Sequence, residues 1–197
     1  MQELVVANFV SLDGVIQSVL SAHEDTEGGF KQGGWVSQAM DSDVADFMSA
    51  TTIAAGAMLL GRKTYAGFAK VWPSASANEP AVAAMNRMPK YVASRSIASF
   101  DWNNTHLLGP DLEQHVRQLK VTVPDGEIVV FGSADLVRTL AGLDLVDEYR
   151  LLIFPLVLGS GKRMFAEGTK PVRLVLVSSS MTRTGVVINT YVPARTG

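Results

Sequence analysis

Three apolar runs in this chain each end at a turn and are followed by basic or hydroxyl side chains: Leu59-Leu60-Gly61-Arg62-Lys63-Thr64, Val92-Ala93-Ser94-Arg95-Ser96 and Val130-Phe131-Gly132-Ser133-Ala134-Asp135. In the first and third, glycine makes the turn and a helix pattern follows; in the second no helix start is evident. Strand-to-helix turns that repeat along a chain build a largely parallel sheet, whose strands finish on one edge. Free N–H groups and a partial positive charge at a helix start suit phosphate. Arg62, Lys63 and Arg95 on that edge therefore point to an anionic ligand with more than one phosphate. Arginine also stacks flat on an adenine ring, which lysine does not do.

The remaining pattern supports the same layout. Leu4–Val10 reads as a buried strand ending at Ser11-Leu12-Asp13-Gly14. Residues 17–37 are polar and glycine-rich, a loop long enough to suggest function, with Trp35 as an anchor to the body. Val44, Phe47, Met48 and Thr51 share one face of a helix over 41–55, capped by Asp41 or Ser42. Strands are expected at 57–60, 90–94, 105–108, 127–131 and 148–155. Helices are expected at 62–69, 81–87, 110–120 (with Pro110 in the first turn) and 134–141, stopped by Gly142. Residues 172–180 and 186–192 read as an antiparallel hairpin. The expected fold is a three-layer α/β/α arrangement on a mixed, mostly parallel sheet with an antiparallel C-terminal hairpin, as one domain over 1–197.

Composition narrows the function. At 47% hydrophobic and 18% charged residues the chain is no disordered tail. A net charge of −2 argues against non-specific nucleic-acid binding. The absence of cysteine excludes disulfides, a thiol nucleophile and thiolate metal sites. His23, His106 and His115 lack metal-ligand spacing, so no metal is expected. No apolar run approaches the roughly 18 residues of a membrane span, and the N-terminus lacks a signal pattern, so a cytoplasmic protein is expected. Two familiar motifs fail: a phosphate loop around Gly161-Lys162 would need glycine at Leu156 and Ser or Thr at Arg163, and a dinucleotide fingerprint from Gly159 would need glycine at Met164.

The combination resembles a known family. Asn8-Phe9-Val10-Ser11-Leu12-Asp13-Gly14 resembles the opening strand of the reductase domain of the bifunctional riboflavin deaminase–reductase. Gly61-Arg62-Lys63-Thr64-Tyr65 looks like the phosphate motif of dihydrofolate reductases, and Val130-Phe131-Gly132-Ser133 like their second glycine motif. Asp147-Glu148-Tyr149-Arg150 and Phe154-Pro155-Leu156-Val157-Leu158-Gly159-Ser160-Gly161 are similar to a late strand and turn of the riboflavin-reductase branch. The chain is thus identified as a stand-alone member of the dihydrofolate-reductase-like, riboflavin-reductase C-terminal-domain family.

The resemblance implies NADPH across the strand ends and hydride transfer to a small heterocycle or carbonyl compound. Gly61, Arg62, Lys63 and Thr64 would hold phosphates, and Ser94 and Arg95 the adenosine 2′-phosphate. Gly132, Ser133, Ala134 and Asp135 would line the pyrophosphate and nicotinamide ribose. Asp13, then Asp43 or Asp46, are the candidate proton donors. Trp35, Phe47 and Phe154 are candidate substrate walls, with Trp72 and Tyr149. Lys162 and Arg163 are candidates for a substrate phosphate. Residues 18–35 take the place of the loop that closes over the site. A homodimer is expected, as in related reductases. Two departures count against the familiar substrates: the inner face of the first helix carries no acid, and Phe131 with Ser133 replaces the acid and second glycine usual in riboflavin-pathway reductases. The alternative is a cofactor-binding protein of this fold without turnover.

Overall fold

The computed structural model describes residues 1–194, so the last three positions of the expected 1–197 domain lie outside the described residues. The elements in chain order are β1 (Leu4–Ser11), α1 (Ser42–Ala54), β2 (Ala55–Gly61), α2 (Arg62–Val71), α3 (Pro80–Arg87), β3 (Lys90–Ala93), β4 (Thr105–Leu108), α4 (Leu112–Thr122), β5 (Glu127–Val130), α5 (Ala134–Gly142), β6 (Glu148–Phe154), β7 (Leu174–Met181) and β8 (Val187–Pro193). They form one eight-stranded sheet in the order β4-β3-β2-β5-β1-β6-β8-β7. The first six strands are mutually parallel. β8 runs antiparallel to both β6 and β7. This is the mixed, mostly parallel sheet that the sequence implies.

Strand alternation decides the layers. Leu4 and Val6 turn to one face and meet Val116 and Leu119 of α4 and Val137 and Leu140 of α5. Val5 and Ala7 turn to the other and pack with Tyr65 of α2 and Ala84 and Met85 of α3. A third cluster joins Val44 of α1 to Phe30, Trp35 and Phe154. Burying these aliphatic side chains on both faces is worth about 1.5–3 kcal/mol apiece before entropy is counted.

Chain order sets where the turns fall. After β4 the chain returns through β5, which fills the gap between β2 and β1. Val6, Leu59 and Val130 then stand side by side in register, and Gly61 pairs with Ala93 of β3. The turns at Gly61, Ser94 and Gly132 therefore share one sheet edge, as the sequence predicts.

Local differences have simple causes. Asp41 caps α1, its carboxylate accepting the Val44 N–H at 3.0 Å. Pro110 stands outside α4 because Asp111 takes the cap, accepting the Gln114 N–H at 3.0 Å. Gly142 is the last residue of α5 rather than its stop; the chain turns at Asp144, whose φ is 53°. Residues 72–74 form a short 3₁₀ turn within the expected loop. At the sheet's edge, β7 leaves Val175, Leu176, Val177 and Met181 exposed.

Candidate active site

Gly61 and Ser133 occupy the cap positions of α2 and α5, and neither helix start is closed by a side-chain hydrogen bond. Their first-turn N–H groups are left for a ligand or solvent. The two turns are pressed together: a Cβ at Gly61 would come within 2.5 Å of the Ser133 Oγ. Gly132 sits at φ 60°, a left-handed conformation that favours glycine, and its N–H donates to the Asn8 Oδ1 at 2.8 Å. These turns bound a cleft of about 700 Å³. Gly61, Arg62, Lys63, Thr64, Ser94, Arg95, Ser133, Ala134 and Asp135 all line it. The structure thus brings together nearly every residue expected at a cofactor; Gly132 lines the cavity next door. Two uncapped helix starts and four basic side chains, Arg62, Lys63, Arg95 and Lys162, in one cleft fit a dinucleotide carrying several phosphates.

The glycine-rich loop lies along this cleft and is tied down by Gln17. The Trp35 indole N–H donates to the Gln17 carbonyl at 2.9 Å. The Gln17 amide donates to the Asp25 carbonyl at 3.1 Å and the Glu27 carbonyl at 2.9 Å. Asp25 is thereby held against Lys63 at 3.2 Å and Lys162 at 2.8 Å. Glu27 bonds to the same two lysines. Burial works to raise the Asp25 pKa, but hydrogen bonds from Lys162 and Lys63 hold it below the ordinary value. Hydrogen bonds from Lys162 and Lys63 lower Glu27 as well. Burial opposes the charge on Lys162, yet the Asp25 and Glu27 carboxylates push its pKa up. Lys63 and Lys162 therefore already hold two anionic partners at the place expected for phosphate.

A second cavity, of about 280 Å³, adjoins the cleft and shares Ile16, Glu24 and Thr64 with it. Its walls include Phe9, Met48, Phe68, Trp72, Met85 and Phe131. α1 contributes Ala45, Met48, Ser49 and Thr52, and Glu24 at the junction is the one charged residue on the lining among the described residues. Asn8 also lines it. That side chain is buried, and its Nδ2 finds no acceptor among the described residues.

Other expected site residues lie elsewhere. Asp13 clamps two loops: it accepts from the Ser11 hydroxyl at 2.6 Å, the Leu158 N–H at 3.1 Å and the Gly159 N–H at 2.9 Å. Burial works to raise its pKa, but these hydrogen bonds win and lower it to about 2. Asp43 faces Arg183 at 3.9 Å, and Asp46 is exposed. None of the three lines either cavity. Trp35 and Phe154 pack edge to face at 5.5 Å within the core, with Phe47 against the same cluster, and none of the three lines the cleft or the second cavity. Tyr149 is likewise core. Of the aromatic candidates, Trp72 alone lines the second cavity. Lys162 lines the larger cleft, while Arg163 bonds to the Asp13 carbonyl at 2.8 Å. Sequence reasoning missed Asn8, Phe68 and Phe131 as wall residues. An asparagine inside an apolar β-strand was the available signal, since a buried amide requires partners.

Sheet, turns and cleft together define a dihydrofolate-reductase-like fold. Dihydrofolate reductase from Enterococcus faecalis, complexed with NADP(H), superposes with a TM-score of 0.63 over 98% of this chain and 97% of that one, at 13% identity. A protein provisionally assigned to riboflavin biosynthesis, from Shewanella sp. PV-4, superposes with a TM-score of 0.75 over 98% of this chain and all of the other, at 18% identity. Residues 2–188 match the RibD C-terminal domain model, and the chain belongs to that family. YyaP of Bacillus subtilis (strain 168), an uncharacterised protein, is 36% identical over 102 residues, 52% of this chain. The match spans about half of that curated relative, 53% of its length. Among the described residues no helix is long and apolar enough to cross a membrane.

Proposed function

We propose that this chain is an NADPH-dependent reductase that delivers hydride to a small heterocyclic or carbonyl substrate. The observation that carries the reading is the junction of the two cavities: a cationic, glycine-edged cleft opens at Thr64 onto an apolar pocket. When bound, the dihydronicotinamide supplies the hydride, and the protein supplies position and dryness.

In this reading Arg62, Lys63 and Thr64 bind phosphates at the start of α2. Ser94 and Arg95 bind the 2′-phosphate, and Ser133 and Ala134 present backbone N–H groups to the pyrophosphate. Cofactor phosphate competes with Asp25 and Glu27 for Lys63 and Lys162. Asp13 is ionised throughout the neutral range and donates no proton. The proton comes from solvent at the junction, beside Glu24. The exposed apolar edge of β7 pairs with a second copy of the chain. A second reading, cofactor binding without turnover, is favoured by the placement of Asp13 and Asp43 away from both cavities.

Fluorescence titration with NADPH and NADH tests the proposal, comparing the wild type with Arg95→Ala. Tight NADPH binding that weakens selectively in the variant supports it. Binding of neither cofactor overturns it. Turnover on a panel of acceptors then separates a reductase from a binding protein.

A further inference from the structure

We infer that the second cavity selects an uncharged, largely apolar cyclic ketone or imine, and that Asn8 Nδ2 donates a hydrogen bond that orients it. This rests on the reductase reading above. It goes further by excluding the anionic or amidine-bearing heterocycles that a pocket of another composition would take.

Three observations carry the inference. The first is charge. Among the described residues no lysine or arginine lines the 280 Å³ cavity, so a phosphate or carboxylate tail inside it would lack a partner. Glu24 at the mouth would repel such a tail, and an unpaired buried anion is costly. The second is the α1 wall, which presents Ala45, Met48, Ser49 and Thr52. The Thr52 hydroxyl is already used, donating to the Met48 carbonyl at 2.8 Å. A ring amidine, which needs a carboxylate to pair with, meets none on that wall; Glu24, at the mouth, already accepts the Leu20 N–H at 2.9 Å. The third is Asn8. Its Oδ1 is fixed by the Gly132 N–H at 2.8 Å, so the amide is oriented with Nδ2 as the free end. That nitrogen is buried and has no acceptor among the described residues. A buried donor left unmade is penalised, so an acceptor atom arriving with the substrate gains more than one at the surface.

The chemistry closes. The carbonyl carbon gains a C–H bond from the hydride while the C=O π pair moves to oxygen. That oxygen takes a proton from solvent to give an alcohol, and NADPH becomes NADP⁺. For an imine, nitrogen takes the proton and an amine results.

The test uses the full chain and three probes: 1-tetralone, 3,4-dihydroisoquinoline and dihydrofolate. Binding is read by Trp72 fluorescence, with Trp72→Phe as the control that assigns the signal, and turnover by NADPH oxidation. The expected result is saturable quenching and turnover with one or both of the first two probes, and neither with dihydrofolate. Asn8→Asp keeps an acceptor for Gly132 N–H and removes the donor; it should raise the KM of the accepted probe about tenfold or more. Met48→Lys, which places a cation on the wall, should also abolish quenching by that probe. Turnover of dihydrofolate alone would overturn the inference and leave the reductase reading standing. An unchanged KM in a folded Asn8→Asp protein would overturn the role of Asn8. Failure to bind NADPH would overturn both readings.

Discussion

The cleft and the cavity beside it are built in opposite ways. The glycines and most of the basic side chains of the cleft come from three turns, each a handful of consecutive residues at the end of β2, β3 or β5, so a glycine and its basic neighbours act where they are written. The cavity comes from Asn8, Met48, Phe68, Met85 and Phe131, which lie far apart in sequence and carry no charge, Glu24 standing only at the junction. Anion binding depends on the free N–H groups of a helix start and is thus a property of local chain geometry. An apolar pocket depends on what the packing leaves unfilled, and that is decided only when all the elements meet.

The largest effect expected from breaking the comparison is at Gly61. Gly61→Val would force the α2 and α5 starts apart, because even a Cβ there comes within 2.5 Å of Ser133 Oγ. NADPH affinity should fall about a hundredfold by calorimetry, equivalent to about 2.7 kcal/mol. Quenching of Trp72 by an apolar probe should survive. If both fall together, the two cavities are one energetic unit and the comparison fails. Arg95→Ala is the finer version. Losing a charge-assisted contact should weaken NADPH about tenfold and leave NADH unchanged, which assigns the 2′-phosphate to that side chain.

The same contrast explains what was legible in the sequence. The sheet, its antiparallel hairpin and the shared edge of Gly61, Ser94 and Gly132 follow from apolar periodicity and turn residues, and the structure has them. Trp35 was readable as an anchor, and its indole bond to Gln17 makes it one. Phe47 and Phe154 were not separable from wall residues, because an aromatic in the core and an aromatic on a cavity have the same local pattern. Asp13 was equally ambiguous. Asp-Gly marks a turn by local chemistry, but the Leu158 and Gly159 N–H groups that depress its pKa come from residues far along the chain. The Asp25–Glu27–Lys63–Lys162 cluster joins two loops to α2, and no spacing rule connects them.

That cluster sharpens the comparison from the cleft side. If Asp25 and Glu27 compete with phosphate, Asp25→Asn with Glu27→Gln should tighten NADPH about threefold, less than 1 kcal/mol. Both carboxylates have folded pKa values below their ordinary 3.8 and 4.5. Their contribution to holding the loop is therefore complete above those values and is lost as pH falls through the lower folded ones. Hydrogen-exchange protection across residues 17–38, relative to an unfolded chain at the same pH, should hold at neutral pH and fall only on that acid limb. An unchanged or weaker NADPH affinity in the double variant would show that the loop assists binding instead of competing with it.

The smallest effect on catalysis is expected at Asp13, the residue that sequence reasoning ranked first as proton donor. Asp13→Asn keeps an acceptor but loses the charge that strengthens its bonds to Leu158 and Gly159, a loss of about 1–2 kcal/mol in stability. Since its folded pKa of about 2 lies below the ordinary 3.8, the stabilisation is present above 3.8 and vanishes as pH falls through 2. The wild type and the variant should therefore differ in Tm at pH 7 and converge in acid. Their turnover should share one pH profile, because Asp13 is anchored in loops outside both cavities. A turnover loss of tenfold or more with an unchanged Tm would reverse the assignment: the carboxylate would then act on the reaction, and the clamp would be incidental.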